Sequence, residues 1–221
     1  MNYSLAERFV SINGEGQQAG KLAVFLRFPG CNLHCSYCDT FWANEPDCKV
    51  ELLAQEEILA YVKGTGVHHV TVTGGEPLIR PHMAELLSSL SHLPDVEVEV
   101  ETNGSVDLSP FLQAAPQVHF TMDYKLPTSG MQAQMHLPNL SLLRETDTVK
   151  FVCGSIDDLT RMNEIVDTYF RNSRVSIYLS PVFGKITPAD MVDFMKNKAM
   201  TQVRLQLQLH KFIWPPEQRG V

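Results

Sequence analysis

From Leu22 onward, short apolar runs alternate with longer amphipathic ones. Runs that are β-branched or aromatic and bounded by Gly, Pro or Asn predict strands over 22–28, 69–73, 96–101, 118–122, 148–153 and 175–180. Helices are predicted between them. The clearest covers 155–169, where Leu159, Met162, Ile165, Val166 and Tyr169 make one apolar stripe, with Ser155 as N-cap and Asp158 in the first turn. Another opens at Thr187-Pro188, with proline in the first helical position. The stretches 55–63 and 82–90 carry weaker amphipathic patterns, and 126–143 reads as loop with at most a short helix. Val203, Leu205, Leu207 and Leu209 alternate as a seventh strand. Before Leu22, Ile12-Asn13-Gly14-Glu15-Gly16 has no Walker lysine and reads as a turn leading into the first strand.

Strands alternating with helices imply parallel βα units, in a partial barrel or an open doubly wound sheet. The position of the polar motifs favours the barrel. Cys31 to Cys38, Gly74 to Pro77, Thr102-Asn103-Gly104, Asp123-Tyr124-Lys125, Gly154 and Pro181 to Gly184 each follow a predicted strand. They therefore gather at the carboxyl end of the sheet, where βα proteins build their sites. The expected fold is α/β: a clipped, incomplete TIM-type (β/α)6 barrel with an additional C-terminal strand and a docked tail.

Bulk properties bound the reading. The 221 residues suit one domain, 1–221, with a loop at 29–42 and a tail at 210–221. A hydrophobic content of 44% and a charged content of 19% are ordinary for a globular protein. The net charge of -7 argues against nucleic acid or an anionic membrane as the main partner. No apolar run has the form of a signal peptide or the length of a membrane span. Five cysteines, three of them clustered, suit a reducing compartment, so a cytoplasmic location is expected. Cys48 and Cys153 are too few for a second cluster and read as a loop thiol and a half-buried strand thiol.

The chemistry centres on Cys31-Asn-Leu-His-Cys35-Ser-Tyr-Cys38. At C-x3-C-x2-C spacing, three thiolates reach one face of an iron–sulfur cube and leave the fourth iron open to a ligand. The other readings are a structural zinc site, which needs a fourth ligand that His34 is badly placed to supply, and a chance cluster of core cysteines. Some forty residues on stands Thr73-Gly-Gly-Glu-Pro77.

The two motifs together resemble the radical S-adenosylmethionine (SAM) enzymes. The resemblance implies a [4Fe-4S] cluster on Cys31, Cys35 and Cys38, with the amine and carboxylate of SAM on the open iron. One electron then cleaves SAM to a 5′-deoxyadenosyl radical, the hard chemistry being the cofactor's. It also implies that Tyr37 lies against the adenine and that the backbone of Gly74 and Gly75 meets the methionyl amine, where glycine permits close approach.

Further stretches narrow the match: Asn-Gly-Glu-Gly near the start, Arg27 before the cluster, Cys38-Asp39-Thr40 at its end, and a Leu-His-Lys-x-Ile-Trp tail. Nearly end to end, the sequence resembles the 7-carboxy-7-deazaguanine synthase family. It departs from that family at Asn13, where many relatives have glutamine, and in its short 41–51 segment. The resemblance implies a carbon–nitrogen lyase of queuosine or other 7-deazapurine biosynthesis. Such an enzyme contracts 6-carboxy-5,6,7,8-tetrahydropterin to 7-carboxy-7-deazaguanine with loss of ammonia and recycles SAM. Arg27 would grip the substrate carboxylate with its planar fork. Ile12, Asn13 and Gly14 would pair with the pterin edge through their backbone, Glu15 would take its guanidine-like donors, and Thr73 and Val221 would face it. Thr40 would be a ligand of Mg2+, which takes oxygen donors. SAM would be met by Tyr37, Cys38, Asp39, Asn103, the run Asp123, Tyr124 and Lys125, and the run Ser180, Pro181 and Val182. A one-electron donor such as flavodoxin or ferredoxin and a homodimer follow by analogy alone. No general base is required, which agrees with the scattered histidines.

Two other readings stand beside this one. An activase would use the same cysteine loop to place a radical on a glycine of a partner enzyme and would need an open docking face. A non-enzymatic metal module would lack SAM-dependent change at its iron. By itself Arg27 reads as a strand-end surface charge, and His210 as a packed histidine or a substrate contact through the tail.

Overall fold

A computed structural model describes residues 1–215 and 218–221. Its central sheet has eight strands in the order β10-β9-β8-β7-β6-β5-β3-β2. These are β2 (Glu7–Ile12), β3 (Leu22–Phe28), β5 (His69–Gly74), β6 (Glu97–Thr102), β7 (His119–Tyr124), β8 (Thr148–Cys153), β9 (Ser176–Pro181) and β10 (Val203–Leu205). All neighbours pair in parallel except β2 and β3, which run antiparallel. A small separate sheet joins β1 (Asn2–Leu5) to β4 (Glu51–Ala54). The helices between strands are α1 (Gln55–Thr65), α2 (Met83–Ser91), α3 (Ser109–Ala114), α4 (Asn139–Leu142), α5 (Ile156–Ile165) and α6 (Pro188–Asn197), and α7 (His210–Ile213) follows the last strand.

The six expected parallel strands lie within two residues of their predicted bounds. Ser155 and Thr187 cap their helices as expected, each side chain accepting from an N–H three residues on. The N-terminus differs from the expected turn. Tyr3 and Leu5 are buried under the main sheet, and β2 adds an antiparallel edge to it. The seventh strand is also shorter than the alternation suggests. Beyond Leu205 the amides of Gln206 and Gln208 bond to the 13–16 loop, and no further ladder forms.

Alternation along the strands separates two faces. Val70, Val72, Val98, Val100, Phe120, Met122, Val149 and Phe151 turn to the apolar cluster that the helices complete with Ile58, Leu86, Leu90 and Leu159. The other face presents Thr71, Thr73, Glu99, Glu101, Thr121, Asp123 and Lys150. Seven strand spacings laid flat would put the sheet edges roughly 34 Å apart. Yet the single loop after β2 touches β5 through Asn13 and Thr71, β8 through Glu15 and Lys150, and the segment after β10 through Gly16 and Gln206. The sheet is therefore curled round this loop, with β2 and β10 left as unpaired edges: an open barrel with a polar bore.

Candidate functional site

At the carboxyl end of the strands lies a cavity of about 720 Å3. Strand ends supply Arg27, Thr73 with Gly74, Glu101, Asp123 with Lys125, and Val152, while the loop after β3 supplies Cys31, Cys35, Tyr37, Cys38 and Thr40. The β2–β3 loop adds Gly14 and Glu15, and the C-terminal segment adds His210, Lys211 and residues 218–221.

The cysteine loop is pinned at both ends. Gly30 donates to the Ala43 carbonyl at 2.8 Å, and Ser36 binds the 128–129 segment through its N–H at 3.1 Å and its hydroxyl at 2.6 Å. Burial pushes the Cys35 and Cys38 thiols up, opposed in part by Lys125 and, at Cys38, by the Thr40 backbone. His34 is exposed and lies outside the cavity lining. Among the described residues no three His, Cys, Asp or Glu side chains converge tightly enough to hold a single metal ion. The cubane spacing asks for something else, one thiolate on each of three irons.

Beside the thiols is a backbone cradle. A Cβ at Gly74 would fall on the Phe28 backbone, and one at Gly75 on the Gly30 carbonyl and the Asn44 amide oxygen. Only glycine fits there, and Gly74 also holds φ at 149°. Asn44 Oδ1 is buried without a partner beside this cradle. Glu76, next in the motif, is fully buried and accepts from Leu78 N, Thr102 Oγ1 and Asn103 N. Burial, only partly offset by these donors, moves its carboxyl up to about 7.

The bore under the cavity carries four charges of alternating sign. Lys150 Nζ lies 3.0 Å from Glu15 and 3.6 Å from Asp123, and Lys125 Nζ lies 3.0 Å from Asp123. Burial alone would raise Asp123, but Lys125 and Lys150 hold it below the ordinary carboxylate range. Glu15 also accepts from Ser180 at 3.2 Å and Gln208 at 3.1 Å. Asp123 lines the cavity, and its Oδ1 is buried with no partner. Lower in the bore, burial and the nearby Glu101 move Glu99 up to about 7.

On the opposite wall, β-register places Glu7 directly across from Arg27, and Glu7 Oε1 takes the Arg27 Nε–H at 2.7 Å. Phe9 and Phe25, the next pair on that face, stack at 5.0 Å. The tail docks as expected: Arg219 lies 4.2 Å over the Trp42 ring, and Lys211 pairs with Asp39 at 3.2 Å. Pro216 and Glu217 lie outside the described residues. The His210 imidazole packs against Gly14, and burial lowers its pKa.

Several expected contacts are corrected. Asn13 faces away from the cavity: its side chain accepts from Thr71 at 2.8 Å and its N–H donates to the Lys21 carbonyl. Tyr124 sits on the other face of β7, against Phe151, because side chains alternate between Asp123 and Lys125. Ser180 is spent on Glu15, and neither it nor Pro181 lines the cavity, whereas Val182 does. Asn103 reaches the cavity, but both ends of its amide are already bonded within the protein. Ile12, Gly14, Glu15, Arg27, Thr73 and Val221 all line the cavity, and Tyr37 is held by its hydroxyl on the Val152 carbonyl at 3.4 Å. Sequence reasoning missed Glu7, Glu101, Lys150 and Gln208. Glu101 and Lys150 sit on the polar face of alternating strands, and that alternation was the available signal.

The model of the Radical SAM superfamily matches residues 25–125. A protein of Clostridium acetobutylicum named 7-carboxy-7-deazaguanine synthase is 51% identical over 221 residues, covering 100% of both chains. Proteins of the same name from Methanospirillum hungatei and Chlorobaculum tepidum are each 36% identical, covering 96% and 99% of this chain and 86% and 97% of theirs. The crystal structure of QueE from Escherichia coli shares the fold, with a TM-score of 0.73 at 23% identity and 95% of each chain covered.

Proposed function

Since the chain belongs to the 7-carboxy-7-deazaguanine synthase family of radical SAM enzymes, we propose that the cavity binds 6-carboxy-5,6,7,8-tetrahydropterin and contracts it to 7-carboxy-7-deazaguanine with loss of ammonia. The observation that carries this reading is a single mouth shared by the three cysteines, the Gly74-Gly75 cradle, Arg27 and Glu15. A [4Fe-4S] cluster, SAM and Mg2+ are the cofactors. Held at Cys31, Cys35 and Cys38, the cluster with its SAM would supply the radical chemistry that the pterin rearrangement needs.

The donor set fits these groups. Cys31, Cys35 and Cys38 hold the cluster, and Gly74 and Gly75, which let the chain pack closely on Phe28 and Gly30, line the cavity beside it. Tyr37, Asp123, Lys125 and Val182 line the SAM side. Thr40 offers its hydroxyl to Mg2+, a hard ion that keeps waters and substrate oxygen as other ligands. Arg27 faces the substrate carboxylate, and Glu15 takes the guanidine-like donors of the ring. Lys150, Ser180 and Gln208 hold Glu15 in place. The protein's part is to bind, orient and exclude water; no side chain is placed as a strong general base.

A concave cavity lined in part by residues 218–221 of the tail suits a small molecule better than an open protein-docking face, which disfavours the activase. One-electron delivery by a flavodoxin or ferredoxin and assembly as a homodimer complete the proposal. The test is an anaerobic incubation of reconstituted protein with the pterin, SAM, Mg2+ and a reductant. Formation of the deazaguanine and ammonia with SAM recovered supports it. SAM cleavage with the pterin untouched sends the substrate assignment elsewhere.

A further inference from the structure

The three cysteine sulfurs do not share the same surroundings. Cys31 Sγ receives the Leu33 N–H at 3.4 Å and, from outside the loop, the Asn103 side-chain amide at 3.5 Å. That second donor is fixed by a closed set of bonds. Ser105 donates both its N–H (2.9 Å) and its hydroxyl (2.6 Å) to Asn103 Oδ1. A backbone N–H can only donate, so the oxygen of the Asn103 amide must face Ser105 and its NH2 must face the cysteine loop. One amide hydrogen goes to Asn32 Oδ1 at 3.0 Å, and Asn32 returns its own amide to Ser105 Oγ at 2.8 Å. The other hydrogen has Cys31 Sγ as its acceptor. Glu76 locks the residue from behind by accepting the Asn103 N–H at 2.6 Å. Asn103 itself is only 6% exposed, while its Asn32 partner lies at the surface.

We propose that Asn103 is a positioning residue that sets the reduction potential of the cluster through an N–H···S hydrogen bond to Cys31. The inference rests on the cluster assignment made above and adds a role the sequence reading had given to SAM contact. Reduction places one more negative charge on the cluster and its thiolates. A donor aimed at a ligand sulfur in a water-poor site stabilises that charge, and hydrogen bonds to sulfur are one of the protein's controls on iron–sulfur potentials. The bond thus favours the reduced state and makes the electron easier to deliver. The ring through Asn32 and Ser105 holds the donor before any ligand arrives.

The test is an anaerobic potentiometric titration of reconstituted holoprotein, following the reduced cluster by electron paramagnetic resonance in the absence of SAM. Asn103→Leu keeps the approximate volume and removes the donor. We expect four-iron loading to persist and the reduced-to-oxidised ratio at a fixed potential to fall about tenfold, equivalent to a midpoint about 59 mV more negative for one electron. Ser105→Ala, which spares the orienting N–H, should shift it less. A fully loaded N103L protein with an unchanged midpoint would overturn the proposal and leave Asn103 as a clamp. If N103L fails to hold its cluster, the wild type decides: with selectively 15N-labelled asparagine, a nitrogen coupling to the reduced cluster supports the bond, and its absence removes it. These readouts need no pterin turnover, so an error in the substrate assignment would show separately as a normal potential without deazaguanine formation.

Discussion

Gly14 lies directly under the His210 imidazole, so close that a Cβ on it would overlap the ring. The same junction carries the hydrogen bond from Leu209 N to the Gly14 carbonyl at 3.1 Å. Gly14→Ala is therefore expected to lift the C-terminal segment off the loop, costing about 1–3 kcal/mol as an overpacking change. Thermal unfolding should show the loss, and KM for the pterin should rise while SAM binding is kept. Adding His210→Ala to G14A should restore much of the stability; an equally unstable double variant would mean the overlap is not the cause.

Arg27 spends its Nε on Glu7, and its terminal nitrogens remain for the ligand. Lysine keeps the charge but loses the fork, so Arg27→Lys should raise KM between roughly 10- and 100-fold, as expected for one charge-assisted bond. Glu7→Gln should raise KM less, since the amide oxygen still accepts from Nε. Steady-state kinetics with the carboxylated pterin and with its analogue lacking the carboxylate would check both, because R27K should matter only for the former.

Glu99 gives a pH dependence of known sign. Burial, with repulsion from Glu101, raises its carboxyl from the ordinary 4.5 to about 7 in the folded chain. Stability from the protonated form is then fully present below pH 4.5 and is lost as pH rises through 7, a span worth roughly 3 kcal/mol. Glu76 acts in the same direction. Glu99→Gln should remove its share, so the variant should lose less stability than the wild type between pH 5.5 and 8 in urea titrations. Parallel curves for the two proteins would contradict the assignment.

Removing Lys150 would leave Glu15 as a buried carboxylate without its counter-ion, while Asp123 keeps Lys125 at 3.0 Å. Lys150→Met is expected to destabilise the fold by about 3–5 kcal/mol. Glu15→Gln in that background should recover part of the loss, because the stranded charge is gone; a double-mutant cycle by chemical denaturation measures the coupling.

The parallel strands and the cysteine loop were legible because each is local. The Val-Thr-Val-Thr of β5 and the Val-Glu-Val-Glu of β6 state their own period, and Cys31 to Cys38 closes within eight residues. Arg27, Glu15 and Val221 were reached only through resemblance. No spacing relates a β3 residue, a loop and a chain end that tertiary structure alone brings together. Glu7 was hidden for a related reason: β2 lies at the sheet edge, and its mixture of charge and aromatic residues has meaning only once register sets it against β3. The failure at Leu207 and Leu209 is instructive. The alternation there was real, but the intervening glutamines were committed to Gly16 and Glu15 rather than to a further strand.

The plug that fills the bore also divides the site by how much chain must be organised to build it. The clustered cysteines are seven residues apart at most, whereas Gly16 meets Gln206 across 190 residues and Glu15 meets Gln208 across 193. Contacts of that separation close late, when nearly all the loop entropy has been lost. A chain with its last strand detached can still present three thiols to iron while having no floor under the substrate. Brown colour and iron content would therefore overcount competent molecules, and the yield of a preparation is better judged by a probe of the junction between the two ends of the chain.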